Sequence, residues 1–358
     1  MPALLWDIYC RVIDNLGDAG VCWRLAVNLA QRGQRVRLFI DDEAPLAFMA
    51  PLGLAGVEVV TWPSPGEGRA PGDVVVEAFG CDPPPDTVAA MARRAVPPVW
   101  VNLEYLSAEA YVERSHGLPS PQANGLRKWF FFPGFTPRTG GLLREERLPE
   151  AQQVFDRDAW LQSQGVTRQP GERVVSLFCY ANPSLPALLR SLAEQPTLLL
   201  LTPGPAQQQL ASMQQQWASL QQQATGAMAG LRLHRLPWLT QHGFDELLWA
   251  ADLNFVRGED SLVRALWAGA PFVWQAYPQH DGAHEAKLLA LMQQLQLPPE
   301  VATLWRAWNG LHRPWPGLPQ LQPAWQGAAQ AGRQALWAQP DLASQLLKFV
   351  QSRQPPGC

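Results

Sequence analysis

Two tandem α/β lobes, each a doubly wound parallel sheet, are the fold this chain predicts, on three observations. Short apolar, β-branched runs alternate with amphipathic helical stretches through the first half. The same alternation resumes after a polar stretch at residues 152–172 that contains Pro170-Gly171. A length of 358 residues exceeds one ordinary core and suits two domains of about 150 to 180 residues each.

In order, residues 4–12 read as a strand because Trp6, Ile8, Cys10 and Val12 alternate with Asp7, Tyr9 and Arg11. A helix follows over 21–32, with Val21, Leu25, Ala26 and Leu29 at helical spacing and Gly33 as its stop. Strands at 36–40, 57–62, 74–79 and 99–103 are short and apolar, as buried parallel strands should be, with a helix at 87–94. The second lobe repeats the pattern with strands at 174–178, 197–202, 231–236, 253–256 and 271–275. The glutamine-rich stretch 207–223 reads as a solvated helix with Leu210, Met213, Trp217 and Leu220 inward. An amphipathic helix at 341–350 closes the chain, and by fold analogy it packs back on the first lobe. The domains expected are 1–155, 172–335 and a C-terminal helix within 336–358.

With 47% hydrophobic and 16% charged residues, a large core is available and disorder is confined to short loops. A net charge of -3 gives no electrostatic basis for binding nucleic acid or an anionic membrane. Cys10, Cys22, Cys81, Cys179 and Cys358 are odd in number and scattered, which fits a reducing cytosol better than a disulfide framework. No signal peptide and no window of about 18 uninterrupted apolar residues is evident, so a cytoplasmic protein is expected.

Residues 14–20 join the first strand to the first helix and set Asp14 and Asp18 four positions apart, with Asn15 and Gly17 between them. Open α/β sheets bind ligands outside the carboxyl ends of their strands, so two carboxylates there suit acid/base chemistry. Read locally, Asp18 is also a good helix cap and Asp14 a good turn former. A similar turn follows the strand at 253–256, where Arg257, Gly258, Glu259, Asp260 and Ser261 open a helix. Asp260 or Ser261 can cap it, and the free amides of a helix N-terminus suit a diphosphate. Arg257 adds a fork of donors, whereas Glu259 suits ribose or sugar hydroxyls; an internal ion pair of Arg257 with Glu259 or Asp260 is the alternative. Phe178-Cys179-Tyr180, and Trp238 ahead of Gln241, follow other strands of the same lobe, and a base could stack on Trp238 or Phe178.

Other patterns point away from competing chemistries. No GxGxxG or GxxxxGK[ST] occurs, which argues against a dinucleotide oxidoreductase and a P-loop NTPase. Asp156-Arg157-Asp158 spells D-x-D but sits in the polar boundary without a preceding strand, and reads as solvated surface. His280 and His284 lack the Glu of H-E-x-x-H and a third ligand, so no metal is expected. Ser261 has no G-x-S-x-G elbow. Two such lobes without those fingerprints suggest a GT-B-type glycosyltransferase, two Rossmann-like lobes facing a cleft.

With these residues in view the chain resembles the EarP family, rhamnosyltransferases that modify an arginine of bacterial elongation factor P. The matching segments are 14–25 (DNLGDAGVCWRL), 131–136 (FFPGFT), 177–180 (LFCY), 257–261 (RGEDS) and 267–275 (WAGAPFVWQ). Leu16, Ala181 and Trp238 depart from the aromatic, Asp and Phe that the family pattern leads one to expect. The resemblance implies a GT-B fold, a dTDP-β-L-rhamnose donor as substrate, inversion at the anomeric carbon and no cofactor or metal. It further implies elongation factor P as protein partner and Asp14, Asp18 and Glu259 as essential carboxylates. Phe178, Tyr180, Trp238 and Gln241 would then contact thymidine, with Arg257, Gly258, Asp260 and Ser261 near ribose and diphosphate and Asn15 and Gly17 beside the donor. The segment 105–144, with Arg127, Lys128, Arg138 and Arg144, is the expected docking face for the acceptor. A small-acceptor glycosyltransferase or sugar-nucleotide epimerase of the same fold is the alternative, and a silent nucleotide-sugar-binding regulator a third reading that would have no use for Asp14 with Asp18.

Overall fold

The computed structural model describes residues 3–13, 16–62, 69–213, 230–278, 282–312, 314–319 and 323–354. The chain divides into two units: Met1–Leu148 together with Leu336–Cys358, and Pro149–Ala335.

The first unit carries β1 (Leu5–Cys10), β2 (Arg35–Ile40), β3 (Val57–Thr61), β4 (Val74–Ala78), β5 (Val99–Leu103), β6 (Pro119–Pro121) and β7 (Arg127–Phe131). Their order is β3-β2-β1-β4-β5-β7-β6, parallel throughout except for β6 against β7. From sequence, β1 to β5 are legible, but 119–131 carries no strand signal, so the expected all-parallel sheet is in fact mixed. The cause is local: β6 is Pro-Ser-Pro, without alternation, and proline lacks the N–H of an interior strand and is confined to an edge.

Alternation along β1 sends Trp6, Ile8 and Cys10 against Ala19, Cys22, Leu25, Ala26 and Leu29 of the helix Gly17–Gln31. The same core takes Leu342, Leu346, Phe349 and Val350 from the helix Leu342–Gln351, each contributing about 2 kcal/mol by burial. Asp341 caps that helix, accepting the Ser344 N–H at 3.0 Å, and pairs with Arg32 at 3.0 Å. On the opposite face of the sheet Tyr9 stacks on Phe39 at 4.6 Å, and the buried Asp7 is held by Arg37 at 2.7 and 2.8 Å.

The second unit carries β8 (Arg173–Leu177), β9 (Thr197–Leu201), β10 (Leu231–Arg235), β11 (Leu253–Arg257) and β12 (Phe272–Gln275), all parallel in the order β10-β9-β8-β11-β12. The helices Gln241–Ala250, Gly258–Ala268 and Ala283–Gln294 follow β10, β11 and β12. Of the glutamine-rich stretch, the helix Pro205–Ser212 is described with Leu210 buried; Trp217 and Leu220 lie outside the described residues. In both units the first three strands run outward from the centre and the fourth starts again on the other side. The order therefore reverses between β1 and β4, and again between β8 and β11, and the carboxyl ends at such a reversal are where doubly wound sheets bind ligands.

Candidate functional site

In the first unit the reversal point is occupied by the turn after β1. Asp14 and Asn15 lie outside the described residues. Gly17 begins the helix Gly17–Gln31, whose cap position is Leu16 without a side-chain bond, so Asp18 is not the cap that its sequence suits. Asp18 instead sits in the first turn, 4% exposed, and its Oδ2 accepts the N–H of Ile13 at 2.8 Å. Accepting that N–H fixes the carboxylate in place on the strand side of the turn. At the neighbouring β4 edge Phe79 adopts φ +58 and its ring stacks on Tyr105 at 4.5 Å, an arrangement that nothing in the sequence announces.

In the second unit Phe178 and Tyr180 follow β8, and Arg257, Gly258, Glu259, Asp260 and Ser261 span the end of β11 and the next helix. Pairing of β8 with β11 puts them side by side, and the Phe178 N–H continues the ladder to Phe255 O at 2.9 Å. Arg257 is 8% exposed, with its guanidinium carbon 4.5 Å from the Phe178 ring centre and 4.4 Å from that of Tyr180. Two aromatic faces thus hold the plane of the donor fork. Gln275, at the end of β12, accepts the Tyr180 N–H at 3.0 Å and so fixes the second of those rings.

The chain enters the helix Gly258–Ala268 through Gly258 at φ +67, a left-handed conformation that glycine adopts without a steric cost. Trp274 Nε1 donates to Gly258 O at 2.7 Å and pins the bend. Arg257 occupies the cap position; Asp260 and Ser261 fall inside the first turn, contrary to the capping role expected of either. Ser261 Oγ accepts the Arg257 N–H at 3.1 Å and donates back to Arg257 O, closing the turn on itself. Glu259 forms a 2.6 Å ion pair with Lys287 of the helix Ala283–Gln294. Lys287 was not singled out from sequence, because a lysine 28 residues away carries no spacing signal.

Gln241 begins the helix Gln241–Ala250, which Thr240 caps by accepting the Gly243 N–H at 3.0 Å. Trp238 is 50% exposed, whereas one face of Phe178 carries Arg257 and its edge meets Phe244 at 5.2 Å. Trp238 is therefore the more open stacking surface of the two. Between Phe178 and Tyr180, burial pushes the Cys179 thiol up to about 12, so it stays protonated and inert.

The remaining sequence features resolve locally. Asp156 caps the helix Arg157–Ser163 through the Asp158 and Ala159 N–H groups, and Arg157 forks onto Asp252 at 2.9 and 2.7 Å. His280 lies outside the described residues, and among those described no three His, Cys, Asp or Glu side chains gather as a metal site. No helix among them is long and apolar enough to cross a membrane. In the segment 105–144, Lys128 binds the buried Glu77 at 2.7 Å, Arg138 pairs with Glu113, and Arg144 donates to Trp337 O at 2.8 Å. Those three cations serve the first unit itself; Arg127 is exposed.

Comparison with known proteins adds to this geometry. The family model for the Elongation-Factor P (EF-P) rhamnosyltransferase EarP matches residues 6–351. The protein-arginine rhamnosyltransferase of Pseudomonas aeruginosa is 44% identical over 369 residues, covering 96% of this chain and 98% of that protein. A solved structure bearing on EarP-mediated arginine glycosylation of translation elongation factor EF-P is 33% identical with a TM-score of 0.66, covering 98% of this chain and 99% of that one. Spinosyn forosaminyltransferase SpnP, at 15% identity, aligns with a TM-score of 0.53 over 98% of this chain and 100% of its own. That likeness is one of fold, the GT-B type with two Rossmann-like units.

Proposed function

The chain belongs to the EarP family of protein-arginine rhamnosyltransferases, and from that premise we propose that it moves L-rhamnose from dTDP-β-L-rhamnose to an arginine side chain of elongation factor P, with inversion at the anomeric carbon. The observation that carries the donor side is the Arg257 guanidinium, set between Phe178 and Tyr180 beside a helix N-terminus at the reversal point of the second sheet. An immobilised fork and outward amides match a diphosphate. The thymine ring stacks on Trp238, and Gln241 bonds its polar edge.

Arginine sets the chemical problem. Its guanidinium has a pKa above about 12 and no free lone pair, so it is a very poor nucleophile. A carboxylate bonded to one terminal nitrogen localises the charge and takes the proton as the new bond forms. Asp18 is the base and Asp14 the group that holds the guanidinium plane. The nitrogen attacks C1 of rhamnose, the C1–O bond breaks, the electron pair leaves with dTDP, and the proton passes to Asp18. Arg257 and the helix amides stabilise the departing diphosphate without a metal, and Glu259 accepts sugar hydroxyls. The acceptor being a translation factor, the reaction belongs in the cytosol.

The test is intact-mass measurement of purified elongation factor P after incubation with the protein and dTDP-rhamnose. A gain of one deoxyhexose on the factor is expected; an unchanged mass sinks the reading. Turnover of a small acceptor in its place would favour the alternative within the same fold.

A further inference from the structure

The chain contains 28 cationic residues, yet only Lys128, Lys287 and Lys348 among them are lysines. Lys287 lies in the helix Ala283–Gln294, one helix and one strand beyond the turn at Arg257, and its Nζ sits 2.6 Å from Glu259 Oε1. The two side chains are 25% and 16% exposed, so the pair is partly withdrawn from solvent and retains much of its Coulomb attraction. Glu259 stands two residues after Arg257 and in the first turn of the helix whose amides open on the same edge. Such a carboxylate opposes an incoming anion both through space and by offsetting Arg257.

We infer that Lys287 is a positioning residue for the donor: it holds the Glu259 carboxylate in one orientation and offsets its charge, so that a nucleoside diphosphate can approach Arg257. This inference rests on the reading of the donor as a nucleotide-sugar. Lysine suits the task because its compact ammonium engages one carboxylate oxygen as a point charge, whereas an arginine fork tends to occupy both. Lys287 acts through Glu259 and touches no reacting atom.

The probe is dTDP alone, with affinity read by calorimetry for the wild type, Lys287→Met, Lys287→Arg and the double variant Lys287→Met with Glu259→Gln. Lys287→Met should weaken dTDP binding about tenfold at low salt, less at high salt, while the acceptor KM stays within about twofold. Lys287→Arg should recover most of the affinity. The double variant should bind dTDP nearly as well as the wild type, because the uncompensated charge is gone, although it transfers no sugar. Losing a merely structural lysine would lower the denaturation midpoint and shift the acceptor KM together with the dTDP affinity, whereas loss of the positioning role does not. Unchanged dTDP affinity in Lys287→Met, or a double variant no better than the single, overturns the inference. Wild-type protein that binds dTDP but leaves elongation factor P unmodified would instead overturn the proposed acceptor and leave this inference standing.

Discussion

Arg264 and Asp245 form a doubly hydrogen-bonded ion pair, Nε to Oδ1 and Nη2 to Oδ2 both at 2.8 Å, with only 1% and 6% of their side chains exposed. It fastens the helix that begins at Gly258 to the helix that begins at Gln241, so the residues of both helix starts share one rigid frame. Removing one partner of a buried pair strands the other's charge, which costs about 3 to 5 kcal/mol. Asp245→Ala should therefore lower the unfolding free energy of the second unit, read from urea denaturation, by that amount. A change under about 1 kcal/mol would show that the pair does not hold the frame.

Asp18→Asn should reduce rhamnosyl transfer by about 10³-fold, the scale of a lost general base, with dTDP binding nearly unchanged. The amide oxygen of Asn can still accept the Ile13 N–H, so the turn survives. Calorimetry showing lost donor affinity would move Asp18 to the donor side.

Arg257→Lys keeps the charge but loses the planar fork between Phe178 and Tyr180. An affinity for dTDP reduced roughly tenfold is expected, since stacking and two-point binding both go. Equal affinities for the two proteins would mean that Arg257 contributes charge alone.

His116 gives the first unit a pH dependence. Burial holds its pKa below the usual 6.5, with Arg353 acting in the same sense, and its Nδ1 accepts the Phe132 N–H at 3.1 Å. Because the folded pKa lies below the unfolded one, the contribution is complete above about pH 6.5 and is lost as pH falls toward the folded value. His116→Asn, which keeps an acceptor near Nδ1, should show a smaller drop in denaturation midpoint between pH 7.5 and 5.5 than the wild type. Identical drops would assign the pH dependence to other groups.

Strands β1 to β5 and β8 to β12 are legible in the sequence to within about two residues, because buried parallel strands are short β-branched runs between strong helix signals. The Pro-Ser-Pro edge strand is not, since its pairing is settled by Arg127 to Phe131 and not by its own composition. At the candidate site the residue types were legible and their engagements were not. Phe178, Tyr180, Gln275 and Lys287 reach the turn at Arg257 only through strand order and register, which join positions up to 95 residues apart. Likewise, Asp18 looks like a cap in one dimension, but its partner is the Ile13 N–H on the strand side of the turn.

The helix Leu342–Gln351 belongs to the unit that the chain begins with, and its Leu342, Leu346, Phe349 and Val350 complete that unit's core. During synthesis the apolar face of β1 and its neighbours therefore waits until residues 342–351 have left the ribosome. The second unit is made in one piece and can close while the first is still open. The unit started first is completed only after the second has been made, and a nascent chain stalled before residue 342 would carry a folded second unit and an incomplete first one.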